Sequence, residues 1–238
     1  MKKLLSIAVA SFAVAAVAAE FSPEIGVTTL SLSAKNNVIP VQYTSLASDG
    51  AVTADALVCT NNIPLNSHLY IYASDTYSAW TLTANGWEAL DTSSTSSDGI
   101  TAGVPAEGQT LPTGSGIWLS LSSAPEQAVL VSVYGKVASG ITSTISAGTS
   151  ASPVSSLVCN PNGSTVSAAD LTTKLSALNP VKGDKVQLIQ STFSGYYIYN
   201  GSAWKKVEGT TITDGLGDLG AYQGFWYVSK GGTGTITW

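Results

Sequence analysis

Apolar and polar residues alternate with a period of two through the most readable parts of this chain. Leu69 and Ile71 are interleaved with Tyr70 and Tyr72, and Val186 and Leu188 with Gln187 and Ile189. Such alternation marks a strand with one face buried and predicts β-structure in both halves of the sequence. One segment breaks the period. From Ser167 to Leu178 the leucines at 171, 175 and 178 fall at helical spacing, Ser167 is a ready N-cap and Asp170 sits in the first turn, so a short helix is expected there. Between the apolar runs, Asn85-Gly86 and Asn200-Gly201 predict tight hairpins with primed turns, and Asp98-Gly99 and Asp214-Gly215 predict further turns.

The pattern occurs twice. Pro64 to Tyr72, Trp80 and Asn85-Gly86-Trp87 recur as Pro180 to Ile189, Tyr197 and Ser202-Ala203-Trp204, with Trp87 falling on Trp204 at an offset of 117 residues. Gly116-Ile117-Trp118-Leu119 falls on Gly224-Phe225-Trp226-Tyr227 at an offset of 108, and Leu57-Val58-Cys59 on Leu157-Val158-Cys159 at an offset of 100. Three matches in one order predict two diverged copies of one unit. Between Val137 and Pro153 Ser, Gly, Thr and Ala dominate, so the first β unit is drawn as 20–137 and the second as 138–238. The expected fold is all-β: two tandem β-sandwich or small-barrel units, with one short helix in the second.

The N-terminus sets the compartment. Lys2 and Lys3 precede an apolar run from Leu4 to Val17 that closes in small residues, the pattern of a signal peptide spanning 1–19. The chain is therefore expected to be exported, to the cell surface, the surroundings or the periplasm, with no transmembrane span in its mature part. Removing that segment leaves eight lysines against fifteen acids, a net charge of −7, and the sequence has no Arg. Phosphate neutralisation needs clustered cations, so nucleic acid is excluded as a partner. Sparse charge also leaves strand edges with few gatekeepers, which suits edge-to-edge assembly.

Candidate chemistry is thin. His68 is the single histidine and has no ligand or triad partner at a recognisable spacing. Asp214 and Asp218 sit in a Gly-rich run too short for a calcium loop, and Glu88, Asp91 and Asp98 stand in turn contexts. No metal or cofactor is implied. Cys59 and Cys159 occupy matching places in an exported chain, and two alternatives stand open: a disulfide between them, or two separately buried thiols. Trp87 and Trp204 follow hairpin turns and precede charged residues, which marks them as candidate sugar-stacking platforms. Trp118 and Trp226, inside apolar strands, read as core.

The Gly224-Phe-Trp-Tyr strand, the Trp87 and Trp204 hairpins, Ile25-Gly-Val and Asn37-Val-Ile-Pro-Val resemble a large group of secreted paralogues from bacteria of the Verrucomicrobia, Kiritimatiellae and Lentisphaerae type. The resemblance implies export and all-β architecture and supplies no catalytic residue. Taken together, these features point first to a non-enzymatic, secreted or cell-surface structural protein whose tandem β modules assemble with themselves or with other surface proteins. The alternative is a carbohydrate-binding protein that takes polysaccharide on Trp87 and Trp204. A glycoside hydrolase stands third.

Overall fold

A computed structural model describes residues 25–32, 35–44, 63–73, 76–90, 113–138, 140–189 and 195–238. The expected signal peptide, Cys59, Asp91 and Asp98 lie outside these residues. The architecture is all-β, with four antiparallel sheets and one helix among the described residues.

In the N-terminal half, β1 (Ile25–Leu32), β8 (Val129–Val137) and β3 (Tyr43–Thr44) form a small sheet in the order β1-β8-β3. A larger sheet runs β2-β7-β4-β5-β6, from β2 (Asn36–Pro40), β7 (Gly116–Ser120), β4 (His68–Ala73), β5 (Thr76–Thr83) and β6 (Gly86–Ala89). The C-terminal half uses the same plan. β9 (Thr142–Ile145) pairs with β16 (Gly234–Thr237). The larger sheet runs β10-β15-β11-β12-β13-β14, from β10 (Val154–Cys159), β15 (Gly224–Ser229), β11 (Lys185–Leu188), β12 (Tyr196–Tyr199), β13 (Trp204–Glu208) and β14 (Thr211–Asp214). In both halves the first and last strands pair in the small sheet, while the second and second-to-last pair in the large one. β8 ends at Val137 and β9 begins at Thr142.

Each half closes around its own apolar cluster. Leu30, Leu32, Val131 and Val133 of the first small sheet meet Leu69, Ile71, Ile117 and Leu119 of the larger one. Ile145 and Ile236 meet Val186, Leu188, Phe225 and Tyr227 in the second half. Side chains from two facing sheets in one cluster make sandwich packing. No sheet closes on itself among the described residues, which removes the small-barrel alternative.

The helix α1 (Ala168–Ser176) forms where its leucine spacing predicts. Ser167 caps it by accepting a hydrogen bond from the Asp170 amide, and Leu171, Leu175 and, just beyond the last turn, Leu178 are buried in the second core. Asp218 accepts from the Ala168 amide at 2.8 Å, satisfying a second helix-end donor.

One sequence expectation changes. A primed turn needs positive φ at its first central residue, yet Asn85 and Asn200 keep ordinary backbone, and the glycines carry positive φ, +112° for Gly86 and +105° for Gly201. Asn200 instead accepts from the Ser202 and Ala203 amides, an Asx turn. Cys159 lies opposite Gly224, and the residue opposite Gly116 is Pro40, so the structural counterpart of the Cys159 strand is Asn36–Pro40.

Candidate binding groove between the two halves

The two larger sheets meet along β2 and β7 on one side and β10 and β15 on the other. Ser115 forms a β-bridge with Val158. Ser143 donates to the Gly114 carbonyl at 2.5 Å and accepts at 2.7 Å from the indole N–H of Trp238, tying the C-terminal strand to the N-terminal half. Gly116 and Gly224 allow the close approach. A Cβ on Gly116 would lie 2.6 Å from the Cys159 sulfur and 3.0 Å from Leu157, and one on Gly224 would lie 2.7 Å from Val38. Contacts this tight across the junction leave little room for the halves to slide.

Above the junction lies a groove of about 920 Å³, with walls from both halves. β1 and β2 supply Thr29, Ser31, Asn36 and Asn37, and Lys35 precedes β2; β11 and β15 supply Gln187 and Trp226; Tyr222 and Gln223 precede β15. Trp118 and Trp226 both line the groove and touch, ring centroids 5.8 Å apart and planes tilted by 48°. Both are partly exposed. Strand alternation is the cause: Ile117 and Leu119 take the core side of β7, and Phe225 and Tyr227 that of β15, so the tryptophan between each pair points to the opposite face.

The groove's polar side chains are amides and hydroxyls with one cation. Asn36 accepts from the Trp118 indole N–H at 3.4 Å, which orients that ring. Gln223 is held by the Gly220 amide at 2.7 Å and donates to the Ile189 carbonyl at 3.3 Å. Gln187 is exposed and lies beside Trp226 in register. Aromatic faces flanked by planar amides suit a ligand with apolar C–H faces and equatorial hydroxyls.

The tryptophans singled out from sequence lie elsewhere. Trp87 is 1% exposed and Trp204 is 4% exposed, so neither offers a ring face for stacking. Trp87 is cross-strand from the buried Leu82, and its hairpin folds it inward. Trp204 packs against Tyr199 at 5.3 Å and edge-on to Tyr227 at 6.3 Å. Its rim contributes to a second cavity of about 710 Å³ with Tyr199, Lys205 and Asp214. The alternation around Trp118 and Trp226 was the signal that could have exchanged the two pairs.

The remaining candidates resolve into structural contacts. His68 Nδ1 is 3.0 Å from the Thr81 hydroxyl, across the β4–β5 pair. Asp214 pairs with Lys205, and Asp218 caps the helix, so the two carboxylates of the Gly-rich run serve separate partners. Among the described residues no cluster of three or more potential metal ligands forms. Cys159 is a free, fully buried thiol, and burial pushes its ionisation well above the usual thiol range. Asp184, missed in the sequence, is fully buried and accepts from Tyr227 Oη at 2.8 Å and from the Val181 and Lys230 amides at 2.9 and 2.6 Å. It ties β15 to the turn before β11.

No protein-family model, curated protein or solved structure matches the chain. No helix among the described residues is long and apolar enough to cross a membrane.

Proposed function

We propose that this is an exported, non-enzymatic glycan-binding protein that holds a single polysaccharide chain in the groove between its halves. The observation that carries the reading is the Trp118–Trp226 pair, two partly exposed indoles in contact that both line the groove. Large aromatics are normally buried when they have no partner outside the chain, and here the four core-side neighbours in the same strands already fill the interior. The tight junction beneath supports a preformed site, which limits the ordering cost of binding. Affinity electrophoresis in gels cast with soluble polysaccharides tests it. Retardation of the wild type by at least one polymer, lost in Trp118→Ala and in Trp226→Ala at unchanged melting temperature, is the expected result. Retardation that survives both substitutions rejects the site.

A second reading, self-assembly of β modules at a surface, is favoured by β14. All four of its residues are exposed, Ile212 is 67% exposed, and its outer edge has no partner strand among the described residues. Such an edge is a template for pairing with another chain. Light scattering across concentrations, with Ile212→Lys as the control, separates this reading from a monomeric binder.

A further inference from the structure

The groove's charge pattern narrows the ligand class, resting on the glycan-binding reading above. Among the described residues Lys35 is the one charged side chain that lines it, and it is exposed, just before β2. Its backbone carbonyl accepts from the Leu121 amide at 2.7 Å, which anchors the residue at the groove wall. No carboxylate among the described residues pairs with that ammonium; the ion pairs there belong to Lys205 and Lys206. The next residue, Asn36, holds the Trp118 indole. A cation, an amide and a stacking ring thus stand side by side along one wall.

The rest of the molecule is acidic: the full sequence carries fifteen acids against ten lysines, a net charge of −5. A densely anionic polymer is repelled by such a body at low ionic strength. A wholly neutral chain would offer the ammonium only hydroxyl acceptors, which bind it more weakly than a carboxylate. We infer that the groove selects a sparsely anionic glycan: a mostly neutral chain with isolated uronic-acid carboxylates, one of which meets Lys35 while adjoining sugars lie against Trp118 and Trp226. The carboxylate forms a charge-assisted hydrogen bond with the ammonium, stronger than a hydroxyl could supply.

The experiment compares glucuronoxylan with the same polymer after chemical reduction of its carboxyl groups, titrated at low salt against the full mature chain. The wild type should bind the native polymer about tenfold more tightly than the reduced one. Lys35→Gln should bring the two within about twofold, and Lys35→Arg should restore the preference. Equal binding of both polymers by the wild type, or a preference unchanged in Lys35→Gln, overturns the carboxylate inference and leaves the groove reading standing. Binding of either polymer that persists in Trp118→Ala overturns the groove reading, and absence of binding to both polymers overturns the carboxylate inference. Absence of binding to a panel of neutral glycans as well overturns the groove reading.

Discussion

Gly116→Ala should destabilise the protein through a contact between its two halves, and a second substitution should undo much of the damage. The added Cβ would lie 2.6 Å from the sulfur of Cys159, a residue of the other half, and 3.0 Å from Leu157 and Val38. Carbon–sulfur contact is comfortable only beyond about 3.5 Å, so the overlap with the sulfur approaches 1 Å. Overpacking of this kind costs roughly 1–3 kcal/mol. Replacing a glycine also narrows the unfolded ensemble, which offsets about 0.4–1 kcal/mol. A net loss of about 1–2 kcal/mol is expected. Cys159→Ala alone removes one buried atom and should cost about 1 kcal/mol. In the double variant the alanine Cβ enters the space the sulfur vacates, and only the contacts with Leu157 and Val38 stay tight. The two costs should therefore fall short of their sum by about 1 kcal/mol. Urea unfolding of all four proteins, with slopes checked for constancy, measures the cycle. Additivity within about 0.4 kcal/mol would refute the close approach of the halves.

Three further outcomes follow from buried polar groups. Asp184→Ala leaves the Tyr227 hydroxyl and two backbone amides without their acceptor and should cost about 3 kcal/mol or more in chemical denaturation, with Asp184→Asn milder; a loss under about 1 kcal/mol contradicts the clamp. Alkaline stability is set in part by Tyr197 and Tyr227, whose ionisation burial raises, with Asp184 adding to the effect at Tyr227. Their contribution is intact below the unfolded value of about 10 and is lost as pH rises beyond it. There the unfolded phenols release protons that the folded ones keep, so Tyr227 alone should lower unfolding free energy by about 1.4 kcal/mol per pH unit. Tyr227→Phe should flatten that slope, and an unchanged slope contradicts it. The Cys159 peptide should resist iodoacetamide in the native protein and be labelled on denaturation without reductant. A peptide that is labelled only after reduction would show the disulfide instead.

Much of the fold was legible because local rules acted without competition. The helix carried its own cap and a leucine stripe, and both matched what formed. The all-β character followed from alternation that the paired strands bear out at Leu69, Ile71, Val186 and Leu188. The groove was not legible. Its position depends on two sheets meeting at Gly116 and Gly224, which no local pattern announces, and on which face of each strand points outward. Hairpin context suggested that Trp87 and Trp204 were outside, whereas cross-strand register places Trp87 with the buried Leu82. Apolar neighbours suggested that Trp118 and Trp226 were inside, whereas the period-two rule, applied strictly, puts them opposite those neighbours. By pairing position the Cys159 strand corresponds to Asn36–Pro40, a relation that depends on strand order and is invisible to local pattern.

The central claim is that glycan meets Trp118 and Trp226. The chain has six tryptophans, each with one indole N–H signal in a nitrogen–proton spectrum. Titrating the labelled mature protein with an oligosaccharide drawn from whichever polymer retards it should move the Trp118 and Trp226 signals, assigned by substitution, and leave Trp87 and Trp204 in place. Movement of Trp87 and Trp204 with Trp118 and Trp226 unchanged would contradict the account.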